Sequence, residues 1–408
     1  MSEVLRARLA PFRNRDFRNF FIAQTMSLVG TWSHDLARSW IIVDATGSSG
    51  ALGNLNMCLA VPCLFLILQG GVLVDRADVR KLMQWTKSMM GGACLVLAAI
   101  AHFSHVQVWQ LMVFAVVEGC IISFDSPAFQ ALTVRLVPRA DFQQAIALNS
   151  TNFHTSRMLG PLVASWLMAF TGGTAAVFLF DGLTYFGVAL VLMGVSLNSS
   201  TRVVTHGSRR KSMNEGFKYI ATHESIRFRL IQLMLTLSCI YPMMSTIFRV
   251  YAQQKFSLDA KNFGSVFSFV AIGSMAGAMS FAVFKPREPI RVMYLGMPLV
   301  FGALLAMPMM PTLPLAVMCM SLTGFGLYLS FASLTVSMQL DVKEEFRGRL
   351  SSVVGLGFSA IGPLMSAPWG HLSDWIGPPN AILGAATLFG LGSAVLAYLN
   401  NRRLAGFT

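Results

Sequence analysis

Long apolar runs alternate with short, mostly basic polar segments along the whole chain. A helix that crosses a bilayer needs about 20 predominantly apolar residues. By that criterion the pattern predicts twelve spans, at 17–44, 51–74, 81–104, 107–130, 141–170, 174–197, 227–253, 262–284, 291–310, 313–340, 348–373 and 379–400. The longer ones must tilt or project beyond the bilayer. Segments of about ten residues with period-two alternation, the mark of an outer-membrane barrel, are absent from the sequence. The long polar interruption from Asn198 to Glu224 predicts a six-helix bundle at 1–197, a cytoplasmic linker at 198–226 and a second six-helix bundle at 227–408. Within the linker, Met213, Phe217, Ile220 and Ile226 recur at a helical period and predict a short amphipathic surface helix. The expected fold class is an all-α membrane protein with twelve transmembrane helices.

Composition removes the soluble alternatives. Of 408 residues, 54% are hydrophobic and 12% charged, and the mean hydropathy is +0.60. A soluble domain carries about 25% charged residues. A soluble enzyme, a disordered binder and a nucleic-acid protein are thereby excluded, although a net charge of +13 would suggest the last. The basic residues instead follow topology. Arg6, Arg8, Arg13, Arg15 and Arg18 precede span 1; Arg76, Arg80, Lys81 and Lys87 follow span 2; Arg135 and Arg139 follow span 4; the linker, the 8–9 and 10–11 loops and Arg402–Arg403 hold most of the rest. The opposite loops hold only Lys255 and Lys261. Basic loops stay in the cytoplasm, so both termini are predicted cytoplasmic in a bacterial inner membrane, beside anionic lipid headgroups. The first apolar run is too long for a cleavable signal peptide. The six cysteines lie in spans, form no C-x-x-C and read as packing residues.

The two halves echo each other. Gly160-Pro161 in span 5 recurs as Gly362-Pro363 in span 11, and Val137-Pro-Arg-Ala-Asp-Phe142 before span 5 as Val342-Lys-Glu-Glu-Phe346 before span 11. A parallel half-length repeat suits alternating access, in which two bundles rock about a site between them. Gly70-Gly-Val-Leu-Val-Asp75-Arg76-Ala-Asp-Val-Arg80-Lys81 resembles the major facilitator signature between helices 2 and 3. Asn14-Arg-Asp-Phe-Arg18, Gly30-Thr-Trp32, Thr46-Gly-Ser48, Asp125-Ser-Pro127, Leu148-Asn149-Ser150, Arg157 and Phe346-Arg-Gly-Arg349 extend the match over nearly the whole chain. Together they are similar to the bacterial efflux branch that includes the enterobactin exporters. The resemblance implies a major facilitator fold. It implies that Gly71 permits close helix approach and that Asp75, with Arg76 and Arg80, latches a cytoplasmic gate. Asp125 is expected to partner a nearby arginine such as Arg135. Gly160-Pro161 resembles the helix-5 motif of antiporters, which loosens the backbone; Ala164-Ser165 stands where the full motif has paired glycines.

Ionisable residues inside spans are costly and are functional candidates. His34, Asp35 and Arg38 share one face of span 1. They read either as a self-neutralised Asp35–Arg38 pair or as a group handling substrate or protons. At about 1.5 Å per residue, Arg38 and Asp181 lie at similar depth and are expected to pair. Glu118 and Arg157 both fall near mid-depth, where protonation of Glu118 would break an ion pair between them. His154 reads as a packed histidine or a proton relay. Arg249 either snorkels to the surface or faces Arg38 across the cavity to hold an anionic substrate in its planar fork. Asp374, at the outer end of span 11, reads as solvated.

A phosphate-binding G-x-x-x-x-G-K-[ST] loop is absent, so ATP does not drive the protein directly. His34, Asp35 and His154 are too scattered for a metal site, and neither a metal nor a cofactor is expected. The expected function is proton-coupled export of a small molecule, a siderophore-like anionic metabolite or a drug, by a secondary active transporter. The expected partners are that substrate, protons and membrane lipids, with the chain a monomer and nucleic acid excluded. Uptake of an anionic solute is the alternative. A lipid flippase, which would carry few cavity charges, ranks lower, and an enzyme lower still, because no nucleophile–base set is visible.

Overall fold

The computed structural model describes residues 9–195, 222–284 and 286–405. The expected linker and its amphipathic helix fall almost entirely outside the described residues. The fold is helical: α1 (Arg15–Thr46), α2 (Ser49–Arg76), α3 (Val79–Phe103), α4 (Val108–Arg135), α5 (Phe142–Thr171), α6 (Ala175–Gly194), α7 (Glu224–Phe256), α8 (Ala260–Phe284), α9 (Pro289–Ala306), α10 (Leu313–Asp341), α11 (Arg347–Ile376) and α12 (Pro378–Ala405). Among the described residues, ten helices are long and apolar enough to cross a membrane. α1 and α5, at 32 and 30 residues, are long enough but too polar. α1 carries His34, Asp35 and Arg38, and α5 carries His154 and Arg157, so the polarity that sets these two apart is that of the candidate site. Large apolar side chains such as Phe65, Trp85, Trp166, Phe170 and Leu391 are mostly exposed on the helix faces. Hydrocarbon is the solvent such a surface requires.

Packing divides the chain into two units. The first comprises 1–45, 61–205 and 259–268; the second comprises 46–60, 206–258 and 269–408. The first turns of α2 therefore pack with the second unit and the first turns of α8 with the first. Particular contacts explain both assignments. In the second unit, Asp374 of α11 accepts hydrogen bonds from Ser48 Oγ, the Ser49 N–H and the Gly50 N–H, at 2.5, 2.7 and 2.9 Å. Those N–H groups are ones that a helix start leaves without internal partners, at the positive end of its dipole. Asp374 is exposed, but it is a helix cap rather than a merely solvated acid. Backbones meet nearby, since a Cβ on Gly370 would strike the Ser49 carbonyl. In the first unit, Ser165 of α5 donates to the Ala260 carbonyl (3.0 Å) and accepts from the Gly264 N–H (2.9 Å). The serine that departs from the glycine motif thus holds the start of α8.

Each unit is also pinned where one helix starts beside another's end. Asn14 accepts from the N–H groups of Asp16 and Phe17, capping α1, and donates to the Leu136 carbonyl after α4 at 2.7 Å. Arg229 of α7 donates to the Ser337 carbonyl at 2.8 Å and pairs with Asp341 of α10 at 2.6 Å. Beside Asn14, Phe17, Phe20, Val79, Met83, Leu132 and Leu136 form a buried apolar cluster. α7 and α11 each contain a π turn, Met243–Ile247 and Gly357–Ile361. The second precedes Gly362-Pro363; Pro363 has no N–H for the carbonyl four residues back, and the widened turn accommodates the gap.

Candidate functional site

Most of the buried charges of the first unit gather around α1. Arg38 lies one turn after His34, so the two side chains share a face with Asp35 beside them. The Arg38 guanidinium donates to Asp35 Oδ1 through Nη2 at 2.9 Å and Nε at 3.3 Å, and to Glu118 Oε2 of α4 through Nη1. One cation therefore bridges two carboxylates. Arg38 and Glu118 are almost fully buried, while the Asp35 side chain keeps 20% of its exposure. His34 belongs to a neighbouring cluster, with Nδ1 3.3 Å from Asp181 Oδ2 of α6. Cys94 of α3 donates its S–H to the same Asp181 oxygen at 3.4 Å.

Small residues create this convergence. A Cβ on Gly30 would strike the Asp181 carboxylate, and Gly182 packs against the Gly91 carbonyl and Cys94. Only residues without a Cβ let three backbones approach so closely. The glycine of Gly30-Thr-Trp32 is thus what brings α1 to α6.

Several expected pairings differ in the structure. Arg38 does not pair with Asp181; it takes Asp35 and Glu118, and Asp181 takes His34 and Cys94. Glu118 does not pair with Arg157, because Arg38 occupies it. Arg157 lies over the Trp32 ring, 5.3 Å from its centroid. Asp125 partners Lys87 (2.9 Å) and Thr86 (2.7 Å) rather than Arg135, because α3 runs alongside α4 at that level. Lys87 is itself buried over the Tyr185 ring, whose hydroxyl lies 2.8 Å from Thr31 Oγ1. His154, half-buried, stands edge-on to Phe153. Arg249 is half-buried in α7 and belongs to the second unit. Cys94 was not legible as a site residue: nothing in its local sequence separates it from the other five cysteines.

The signature segment between α2 and α3 is built from caps. Asp78 caps α3, accepting from the N–H groups of Arg80 and Lys81. Arg80 donates to the Val195 carbonyl at 3.0 Å, closing the C-terminal end of α6, where a cation is favoured by the helix dipole. Asp75 and Arg76 are exposed at the end of α2. Gly70 makes a close approach, its position against the Ser123 carbonyl leaving no space for a Cβ. On α5, Gly160 lies against Trp32, and its carbonyl accepts from Ser33 Oγ at 2.8 Å. With Pro161 following, this stretch of α5 trades helix ladder for contact with α1. A cavity of about 1100 Å³ in the second unit, bordered by Arg229, Glu288, Arg291 and Tyr294, contains none of these buried groups.

Comparison with known proteins places this geometry. The family described as transmembrane secretion effector matches residues 6–405. The chain belongs to that family. Transmembrane secretion effectors are major facilitator transporters, not enzymes, and this one is a multi-pass membrane protein. It is similar to the staphyloferrin A transporter of Staphylococcus aureus, with 23% identity over 94% of this chain and 96% of the relative. It is similar to macrolide efflux protein A of Streptococcus pyogenes, at 21% identity over 95% and 96%. Among solved structures, its fold resembles a bacterial homologue of the human lysosomal transporter Spinster in an inward-facing, unoccupied conformation. That match has a TM-score of 0.78 and 13% identity over 95% of this chain and 96% of the other.

Proposed function

We propose that this transmembrane secretion effector is a proton-driven exporter of small molecules, with Asp35, Arg38 and Glu118 as its coupling centre. The observation that carries the reading is the buried Arg38 guanidinium held between two carboxylates. In the interior of α1–α6, the carboxylates Asp35, Glu118, Asp125 and Asp181 outnumber the cations Arg38, Lys87 and Arg157. An uncompensated charge in a low-dielectric interior is strongly disfavoured, so the resting unit holds a proton. Asp35 is the member of the cluster with solvent access. A proton arriving there weakens its pair with Arg38 and shifts the guanidinium towards Glu118. A cationic or hydrogen-bond-donating substrate competes with the proton for Asp35, and that mutual exclusion is the requirement for antiport.

Relatives named for staphyloferrin A and for macrolides support two cargo classes, a siderophore-like anion and a drug. The doubly neutralised Arg38 favours the drug. The second reading is uptake of an anion held by Arg38. It follows if the anion replaces Glu118 on Arg38 while Glu118 takes a proton, because anion and proton then travel together. In the proposed architecture α1 and α5 join the ten apolar helices to give twelve crossings, in bundles 1–197 and 227–408. Both termini and the 198–226 linker lie in the cytoplasm of a bacterial inner membrane. The exchanged ends, α2 on α11 and α5 on α8, form the external gate, and Gly71, Asp75, Arg76, Arg80, Asp125 and Arg135 serve the cytoplasmic one. His34, Asp181, His154 and Arg157 line the proton path.

Everted membrane vesicles with an acid interior test the proposal, using a fluorescent organic cation as probe. The wild type accumulates the probe above its external concentration. Asp35→Asn equilibrates it downhill without accumulation. Equal accumulation by the variant would overturn the coupling role.

A further inference from the structure

We propose that His34, Cys94 and Asp181 form a binding site for a borderline-soft divalent cation of the zinc class. Three helices of the first unit each supply one donor atom: His34 Nδ1 from α1, Cys94 Sγ from α3 and Asp181 Oδ2 from α6. These atoms lie 3.3 Å (N–O), 3.4 Å (S–O) and 3.9 Å (S–N) apart. Around a tetrahedral zinc ion with ordinary bond lengths, such donors would be about 3.4–3.6 Å apart. The N–O and S–O separations are already close to those values, and the S–N pair must close by a few tenths of an ångström on binding.

Charge supports the same assignment. A divalent ion with one thiolate, one carboxylate and a neutral imidazole has no net charge, the condition under which a buried cluster is tolerable. The mixed sulfur, nitrogen and oxygen set selects zinc, cobalt or iron(II) over magnesium or calcium. Asp181 Oδ1 is buried without a hydrogen-bond partner, an acceptor whose charge a bound cation would compensate. Phe114 stacks on the His34 ring at 4.8 Å and Phe178 meets it edge-on at 4.9 Å, so water is kept from the site. Binding replaces the Cys94 S–H bond with a sulfur–metal bond, and the proton leaves to solvent. The ion staples α1 to α3 and α6 beside Arg38.

The competing arrangement is a proton shared between His34 and Asp181 with Cys94 as a bystander. Cobalt(II) equilibrated with the purified full-length protein, free of any histidine tag, separates the two. The expected result is one cobalt per chain with a thiolate-to-cobalt charge-transfer band, displaced by zinc. Cys94→Ser removes the band and weakens cobalt binding at least about 100-fold, whereas Cys63→Ser retains both. A wild type without stoichiometric cobalt and without the band would overturn the proposal, and so would a Cys94→Ser protein that keeps them. The wild-type spectrum decides even where a variant fails to fold, and it is independent of the direction of transport.

Discussion

Replacing Arg38 by methionine should destabilise the folded protein by about 3–5 kcal/mol, the cost of leaving buried charge without its partner. Methionine fills much of the arginine's volume, so the loss reports charge rather than a cavity. Glu118 is 5% exposed and has Arg38 as its ion-pair partner; without the guanidinium it must stay charged in an apolar interior or take up a proton. Asp35, with some solvent access, suffers less. Adding Glu118→Gln removes the stranded charge, and the double variant should recover all but about 1 kcal/mol, the scale of an ordinary hydrogen bond. Thermal unfolding in detergent, followed by tryptophan fluorescence, checks the cycle. Equal losses in the single and double variants would show that the arginine acts through packing alone.

The second large effect is at the proposed external gate. Gly370→Leu places a side chain where the structure has the Ser49 carbonyl in contact. Overpacking of this kind costs about 1–3 kcal/mol. The cost falls only on the state in which α2 and α11 touch, so the ratio of parted to touching states should rise about 5- to 150-fold. An engineered Asn54→Cys reads this directly, since Asn54 bonds His371 across the same contact at 3.1 Å. Its labelling by a membrane-impermeant thiol reagent should accelerate by that factor in the Gly370→Leu background, and transport should fall. An unchanged labelling rate would mean that this contact does not open.

Spacing and hydropathy reveal the helices and the shared face of His34, Asp35 and Arg38. They do not reveal the partners. Counting 1.5 Å per residue assigns depth and sets Arg38 level with Asp181, yet Asp181 meets His34, one turn earlier on α1. Depth says nothing of which way a side chain points around its helix, where one residue turns the direction by about 100°. That rotation is set by tertiary contacts, here the close approaches at Gly30, Gly91 and Gly182. It gives Asp181 to His34 and Cys94, and Glu118 to Arg38. Near a basic loop, Lys87 reads as a topology charge, yet Asp125 draws it inside. The same limit explains Asp374. Its capping of α2 depends on two segments far apart in sequence, and nothing near either one announces the other.

The central claim is that substrate and proton compete for the cluster on α1. Proton movement on substrate binding tests it most directly, with purified protein in weakly buffered detergent and a fluorescent organic cation as ligand. The account predicts that binding releases protons into the medium, and that the release disappears in Asp35→Asn. Proton uptake on binding, or release unchanged in that variant, would contradict it.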